Sequence, residues 1–319
     1  MNTITTGKTY GLIGVAGYIA PRHIHAMKET GGNLCAALDK FDSVGILDRY
    51  FPEASFFLEP ERFDRYLYKR QRLGNPLDFI AVCSPNYLHD AHIRMALRNG
   101  SNAICEKPLV LNPWNVDALE QLEKDTGQKI YNVLQLRMHP AIVALKNKID
   151  QASPDKIYDI DLTYITSRGK WYQESWKGAV EKSGGIATNI GIHFFDMLQW
   201  IFGEAEQSRV HLHHTDRAAG FLQLEKARVR WFLSLNIDDI PQPAREKGLQ
   251  TYRSIKIEKK EVEFSGGFTD LHTQTYQHIL NGQGFGLDDA RPSIDIVHKI
   301  RNSQLTGITG DFHPFLKRQ

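Results

Sequence analysis

Residues 10–13 form a short apolar run that enters a turn of small residues, Gly14-Val15-Ala16-Gly17-Tyr18-Ile19-Ala20, and then a helical pattern through Met27. A second apolar run over 34–38 stops at Asp39. Strand, glycine turn, helix and second strand make a βαβ unit, and such a unit joins two parallel strands by a crossover. Further apolar runs at 79–83 and 102–105 are each followed by a helical pattern, at 89–98 and 113–126. Strands alternating with helices predict a parallel sheet covered by helices.

The texture changes after Lys129. Strand-like runs at 129–136, 158–167, 207–214, 220–224 and 227–237 predict a second, mostly antiparallel sheet with an interior helix over 193–202. Two helices follow, near 271–280 and 292–303, free to pack on either part. The expectation is an α/β protein of two domains, 1–130 and 131–319, with no internal repeat. At 319 residues the chain is about twice the common domain size.

Composition enters where it limits partners. Thirty-nine basic residues stand against 37 acidic ones, a formal charge of +2, without a long run of either sign. Nothing there fits nucleic acid or an anionic membrane, so an anionic ligand has to be held by a local site. Residues 1–10 lack an apolar signal core, and no stretch has the roughly 20 apolar residues a membrane span needs. The expected compartment is the cytoplasm, and Cys35, Cys83 and Cys105 read as reduced packing residues.

A strand–turn–helix with small residues lets backbone amides approach a pyrophosphate. Gly14, Ala16 and Gly17 meet that need, although Ala16 stands where a second glycine is expected and Ile19 or Ala20 where a third is. Asp39, 25 residues after Gly14, can accept from adenine-ribose hydroxyls and would repel a 2′-phosphate, which favours NAD over NADP. Gly7-Lys8-Thr9 is no nucleoside-triphosphate loop, because Asn2 holds the first glycine position and the segment precedes the strand. Two further segments end strands on the same rim, Cys83-Ser84-Pro85-Asn86-Tyr87-Leu88-His89 and Cys105-Glu106-Lys107-Pro108-Leu109. The second puts an ammonium there.

Taking a hydride from a secondary alcohol requires a group to receive the hydroxyl proton and a donor to steady the alkoxide. Lys107 is one candidate. His193, at the end of the glycine-containing stretch 184–192, is the other, with Asp196 one helical turn on. Arg168, Lys170 and Lys177 lie among Trp171, Tyr172 and Trp176, a mixture suited to an anion joined to a sugar or base, with Arg253 as a further cation. His211, His213 and His214 read as surface residues and not as a zinc set.

Glu106-Lys107-Pro108, the glycine turn, Ser84-Pro85 and His89 together resemble the glucose-fructose oxidoreductase/inositol dehydrogenase family along essentially the whole chain. The resemblance implies a Rossmann domain followed by a domain with a large open sheet, NAD(P)-dependent sugar oxidation, and a lysine that reaches substrate hydroxyl and nicotinamide. His193 then corresponds to the family's catalytic histidine. Many members carry aspartate four residues before it, where this chain has Asn189.

Ile13 to His23, Cys83 to His89, Leu162 to Gly169 and Gly267 to Thr273 are similar to the bacterial UDP-N-acetylglucosaminuronate 3-dehydrogenases. That group implies oxidation at C3 of UDP-2-acetamido-2-deoxy-D-glucuronate for O-antigen synthesis and reoxidation of bound NADH by 2-oxoglutarate. It also implies a tetramer built by sheet pairing and a pyridoxal-phosphate aminotransferase as the next enzyme. Residues and resemblance together assign Lys107 and His193 to catalysis. Cofactor contacts fall to Gly14, Ala16, Gly17, Tyr18, Ile19, Asp39, Ser43, Cys83, Ser84, Pro85, Asn86, His89, Glu106, Lys107, Gln135 and Trp176. Substrate contacts fall to Lys107, Arg168, Tyr172, Lys177, Asn189 and His193, and no metal is expected. Two other readings stand beside this one: a dehydrogenase of inositol or another sugar, and an NAD-sensing regulator without turnover.

Overall fold

The computed structural model describes residues 7–262 and 270–318. Met1 to Thr6 and the Gly267-Phe268-Thr269 part of the last motif lie outside the described residues. Two compact units are present: one contains the chain up to Gln135 and takes back Asp270–Ala290, and the other contains Leu136 onward and Arg291 onward.

In the first unit six strands form one sheet: β1 (Thr9–Ile13), β2 (Asn33–Leu38), β3 (Ser55–Phe57), β4 (Phe79–Val82), β5 (Asn102–Cys105) and β6 (Ile130–Asn132). The order is β3-β2-β1-β4-β5-β6, and every pairing is parallel. Strand order reverses between β1 and β4, the place where open α/β sheets bind ligands at their carboxyl edge. Tyr10, Leu12 and Ala81 from the sheet pack with Ile24 and Met27 from the helix Ala20–Glu29 in one buried core. The returning helix, Leu271–Leu280, adds Tyr276 and Ile279 to that core.

The run at 129–136, expected to open the second sheet, instead supplies β6 of the first sheet. Ala103, Ile104 and Cys105 pair in parallel with Ile130, Tyr131 and Asn132. The returning segment backs this edge, since Asn132 N–H donates to the Phe285 carbonyl at 2.8 Å and a Cβ at Gly284 would lie 2.5 Å from the Tyr131 ring.

The second unit's sheet contains β7 (Tyr158–Thr166), β8 (Ala205–His213), β9 (Arg217–Leu224), β10 (Ala227–Ser234), β11 (Thr251–Ile257) and β12 (Lys260–Glu261). Its order is β12-β11-β7-β10-β9-β8, with β7 and β10 the one parallel pair among the described strands of this sheet. Alternation along β10 assigns its two faces. Trp231 meets Phe195 of the helix Ile192–Phe202, with ring centroids 5.3 Å apart, whereas Phe232 on the opposite face meets His313 and Phe315. Gly220 on β9 makes room for the indole, because a Cβ there would lie 2.6 Å from Trp231.

His211 is not a surface residue. It is 4% exposed, with Nδ1 facing the Gly307 carbonyl at 2.7 Å and Nε2 facing the Asp311 carbonyl at 3.1 Å, so it tethers the C-terminal segment to β8. His213 is half-buried and His214 is exposed. The cysteines are all free, with Cys83 and Cys105 buried. No helix among the described residues is long and apolar enough to cross a membrane.

Asp196, noted one turn after His193, has a packing role. Its carboxylate accepts two bonds from the Arg137 guanidinium, at 2.7 and 3.1 Å, with both side chains buried. A buried charge left without its partner costs about 3–5 kcal/mol. Asp196→Ala is therefore expected to lower stability by about that amount in chemical denaturation, with Asp196→Ala/Arg137→Met recovering part of the loss.

Candidate functional site

The glycine turn closes on itself through backbone bonds. Gly14 N–H donates to the Leu38 carbonyl at 2.8 Å, and Gly17 N–H donates to the Gly14 carbonyl at 3.0 Å. Gly14 has φ +87°, and a Cβ there would come 2.7 Å from the Cys83 carbonyl group, so its position admits no side chain. Gly17 is almost as tight, 2.9 Å from the Gly14 oxygen. Ala16 fills the expected glycine position without strain, and its N–H donates to Asp39 Oδ2 at 3.0 Å.

Asp39 therefore steadies the turn as well as ending β2, and its Oδ1 accepts from Phe41 N–H at 3.0 Å in the loop that follows. It is half-buried, Ser43 is exposed, and Tyr18 is 89% exposed. Half-buried Ile19 precedes the helix without a side-chain cap, and Pro21 occupies its first turn. Ala20 N–H and Arg22 N–H turn back to the Gly17 and Ile19 carbonyls at 3.2 and 3.0 Å and Pro21 has no N–H, so what this first turn offers a pyrophosphate is the positive end of the helix dipole.

After β4, Ser84 and Asn86 are buried, and Ser84 Oγ lies 2.8 Å from His92 Nδ1. Burial pushes the His92 imidazole down to about 4, with nearby His89 adding to the effect, so it is neutral at physiological pH. His89 is fully buried, and its two ring nitrogens face the Pro108 carbonyl at 2.7 Å and the Ser84 carbonyl at 2.8 Å. It braces two loops against each other. Both nitrogens are occupied by main-chain oxygens, so this structure gives His89 a supporting place and not the cofactor contact expected of it.

After β5 the Lys107-Pro108 peptide is cis and Lys107 is half-buried. Glu106 beside it is buried, with Oε1 receiving His23 Nε2 at 3.0 Å and His272 Nε2 at 2.9 Å. Neither histidine was given a role from sequence, although both stand in motifs quoted for the resemblance. Gln135 Oε1 is a buried acceptor with no hydrogen-bond partner among the described residues. An orphan acceptor suits a carboxamide N–H, and the side-chain-free cradle at Gly14 suits a pyrophosphate. The first unit's residues fit NAD.

In the second unit, Gly184 and Gly185 have φ +79° and +77°, so they are needed for their backbone conformation. Close approach adds to this at Gly184, where a Cβ would lie 2.6 Å from Thr188, and holds at Gly191, where it would lie 2.6 Å from Leu233 of β10. Ala187–Gly191 forms a π-helical turn ahead of the helix Ile192–Phe202. Such turns redirect side chains and recur at functional sites. Within Ile192–Gln199, His193 is the one residue not buried.

Buried Asn189 donates from Nδ2 to the Tyr172 hydroxyl at 2.6 Å, joining two predicted substrate residues. Lys177 Nζ sits 5.1 Å from the centroids of both the Trp171 and Trp176 rings. Trp176, expected over the cofactor, thus carries a lysine. Burial, and then the charge of Arg168, push the Lys177 ammonium down. Arg168 is exposed, and neither it nor Lys177 pairs with a carboxylate among the described residues. Arg253 stands over the Tyr164 ring at 5.5 Å.

The sequence model of the GFO_IDH_MocA oxidoreductases with NAD-binding Rossmann fold matches residues 8–133, and the model of their C-terminal alpha/beta domain matches residues 146–239. The chain is similar to the WlbA (WbpB) dehydrogenase from Thermus thermophilus in complex with NAD and alpha-ketoglutarate. Identity is 51%, covering 97% of this chain and 99% of that one, with a TM-score of 0.94. The same Thermus thermophilus dehydrogenase with NAD and UDP-GlcNAcA gives 50% identity, 97% and 99% coverage and a TM-score of 0.93. Inositol 2-dehydrogenase from Rhizobium meliloti is 30% identical over 128 residues, 40% of this chain; the chain spans about 37% of that relative's length.

Gly14→Ala places a methyl against the Cys83–Ser84 peptide, so its expected outcome is loss of NAD binding in fluorescence titration. Asp39→Ala removes the bond to Ala16 in the turn and the bond to Phe41 along with a charged acceptor, and the NAD dissociation constant is expected to rise about 10-fold or more.

Proposed function

This chain belongs to the GFO_IDH_MocA oxidoreductase family, and from that premise we propose that it oxidises the C3 hydroxyl of UDP-2-acetamido-2-deoxy-D-glucuronate to the 3-keto sugar. The observation that carries the proposal is Lys177 held against the Trp171 and Trp176 rings with the Arg168 charge beside it, and no carboxylate answers either cation among the described residues. A diphosphate and a uronate bring the missing negative charge, and the rings offer flat surface to a sugar or base. Inositol or a free aldose would leave both cations unanswered. The Thermus thermophilus complexes with NAD and with UDP-GlcNAcA support the same reading.

When bound, NAD supplies the hydride acceptor. The protein's part is to receive the hydroxyl proton and to stabilise the oxygen as charge develops on it. Lys107 is assigned to donate to that oxygen, and His193 to take the proton. Asn189, tied to the Tyr172 hydroxyl, positions the sugar where a charged partner for His193 stands in many members. Gln135 Oε1 accepts from the nicotinamide carboxamide.

The complex containing alpha-ketoglutarate supports a return reaction in which the C2 carbonyl of 2-oxoglutarate takes the hydride and a proton to become 2-hydroxyglutarate. The 3-keto sugar then has the carbonyl a pyridoxal-phosphate aminotransferase needs in O-antigen sugar synthesis. A cytoplasmic tetramer paired through its open sheets completes the proposal.

The test is purified protein with NAD and UDP-N-acetylglucosaminuronate, with and without 2-oxoglutarate, reading keto sugar by mass spectrometry and NADH by absorbance. Keto sugar that accumulates beyond one equivalent only when 2-oxoglutarate is present is the expected result, and its absence in both reactions refutes the substrate assignment. Lys107→Ala and His193→Ala are each expected to lower kcat about 100-fold or more. Arg168→Ala should raise the KM for the UDP-sugar about 10-fold while leaving NAD affinity unchanged.

A further inference from the structure

Glu106 is part of the Glu-Lys-Pro turn but is given no step in the reaction above, and the structure surrounds it with more polar partners than a packing role requires. Its Oε1 receives His23 Nε2 at 3.0 Å and His272 Nε2 at 2.9 Å, while Oε2 accepts the backbone N–H of Lys107 at 3.3 Å. His23 and His272 are 0% and 4% exposed, and their rings meet edge to face at 5.0 Å. On its other side, His23 Nδ1 lies 2.8 Å from the Tyr276 hydroxyl.

The proton inventory orders these contacts. Each imidazole can turn one N–H toward the carboxylate while remaining neutral. His23 then keeps a lone pair on Nδ1, which accepts from the Tyr276 hydroxyl. Burial alone would raise the Glu106 carboxyl, but the His23 and His272 bonds outweigh it and hold the group well below the usual range. An ionised carboxylate thus sits under the lysine turn, fixed by two donors and bonded to the lysine's own backbone amide. The rest of the turn is held as firmly. Asn132 Nδ2 donates to the Cys105 carbonyl at 3.0 Å, and the Pro108 carbonyl faces His89.

We infer that His272, His23 and Tyr276 are positioning residues for Lys107, acting through Glu106, so that the returning helix Leu271–Leu280 sets where the lysine stands. The inference rests on the reading in which Lys107 serves the substrate hydroxyl. The groups facing Glu106 are His23 and His89 from their helices, His272 and Tyr276 from the returning helix, and Cys83 and Cys105 at the ends of β4 and β5. Burial holds both thiols and the Tyr276 phenol protonated and pushes His23 and His89 toward the neutral form. Removing one donor leaves burial to raise Glu106, so its protonation moves to higher pH.

The experiment compares wild type with His272→Ala, His272→Gln, Tyr276→Phe and Glu106→Gln in the NAD-loaded protein. His272→Ala is expected to lower kcat about 10-fold and to move the acid limb of the kcat profile up by about one pH unit. Its NAD dissociation constant should stay within about threefold of wild type. His272→Gln, which keeps an N–H donor, should recover most of kcat, Tyr276→Phe should show a smaller loss in the same direction, and Glu106→Gln should flatten the acid limb.

Acylation of Lys107 by a small reagent, read by peptide mass spectrometry, should speed up at least about twofold in His272→Ala and revert in His272→Gln. Unchanged kcat, acid limb and labelling overturn the inference. So does a loss that glutamine fails to rescue and that follows a lowered Tm. If wild type does not oxidise the UDP-sugar, the substrate reading fails by itself, and the labelling series still decides the role of His272.

Discussion

The approach of Gly14 to the Cys83–Ser84 peptide is the constraint around which the first unit is arranged. β1 and β4 run side by side where the strand order reverses, and each must leave the sheet at its carboxyl edge with no room for a Cβ between them. Gly14 takes φ +87° at that point, and the chain bends so that Ala16 N–H meets Asp39 and Gly17 N–H meets the Gly14 carbonyl. Asp39 at the end of β2 and the loops after β4 and β5 then converge on this edge, because parallel strands place their carboxyl ends together. Ala16 in place of a glycine is tolerated because its amide, and not its side chain, faces Asp39.

The loops at that edge are held by buried polar groups. Ring nitrogens of His23, His89, His92 and His272 meet Glu106, two main-chain carbonyls and the Ser84 hydroxyl. In an apolar surrounding each such bond fixes geometry, because breaking it leaves a polar atom without water. The second unit handles charge in the opposite way. Lys177 faces two indole rings with Arg168 nearby and no acid pairing with either among the described residues, and the lowered Lys177 ammonium reflects both burial and its cationic neighbour. A fixed cationic site without counterions is costly on its own and favourable once an anion arrives.

Much of this was legible in the sequence. The strands at residues 102–105 and helices at 89–98, 113–126 and 271–280 have strong apolar periodicity with proline or glycine at an end, and they stand where expected. The helix Pro60–Arg72 was missed because only Phe63 and Leu67 are buried on an otherwise charged face. β3 has three residues, and β11 interleaves Arg253, Ser254 and Lys256 with its apolar positions, so neither carries a clear two-residue period. The run at 129–136 was assigned to the wrong sheet because periodicity identifies a strand without naming its neighbour.

Local chemistry therefore determined the βαβ turn, the carboxylate at the end of β2, the Glu-Lys-Pro turn, the glycine-flanked histidine and the cation-aromatic segment. Each is a short stretch whose spacing alone restricts its conformation. Tertiary structure decided which residues support them. His272 is 166 positions from Glu106, and Asp196 is 59 from Arg137, so only the folded chain brings those groups together. His211 appeared to belong on a surface until the C-terminal segment supplied its two carbonyls. Sequence spacing records short-range geometry, whereas burial and pairing depend on what the rest of the chain packs against each side chain.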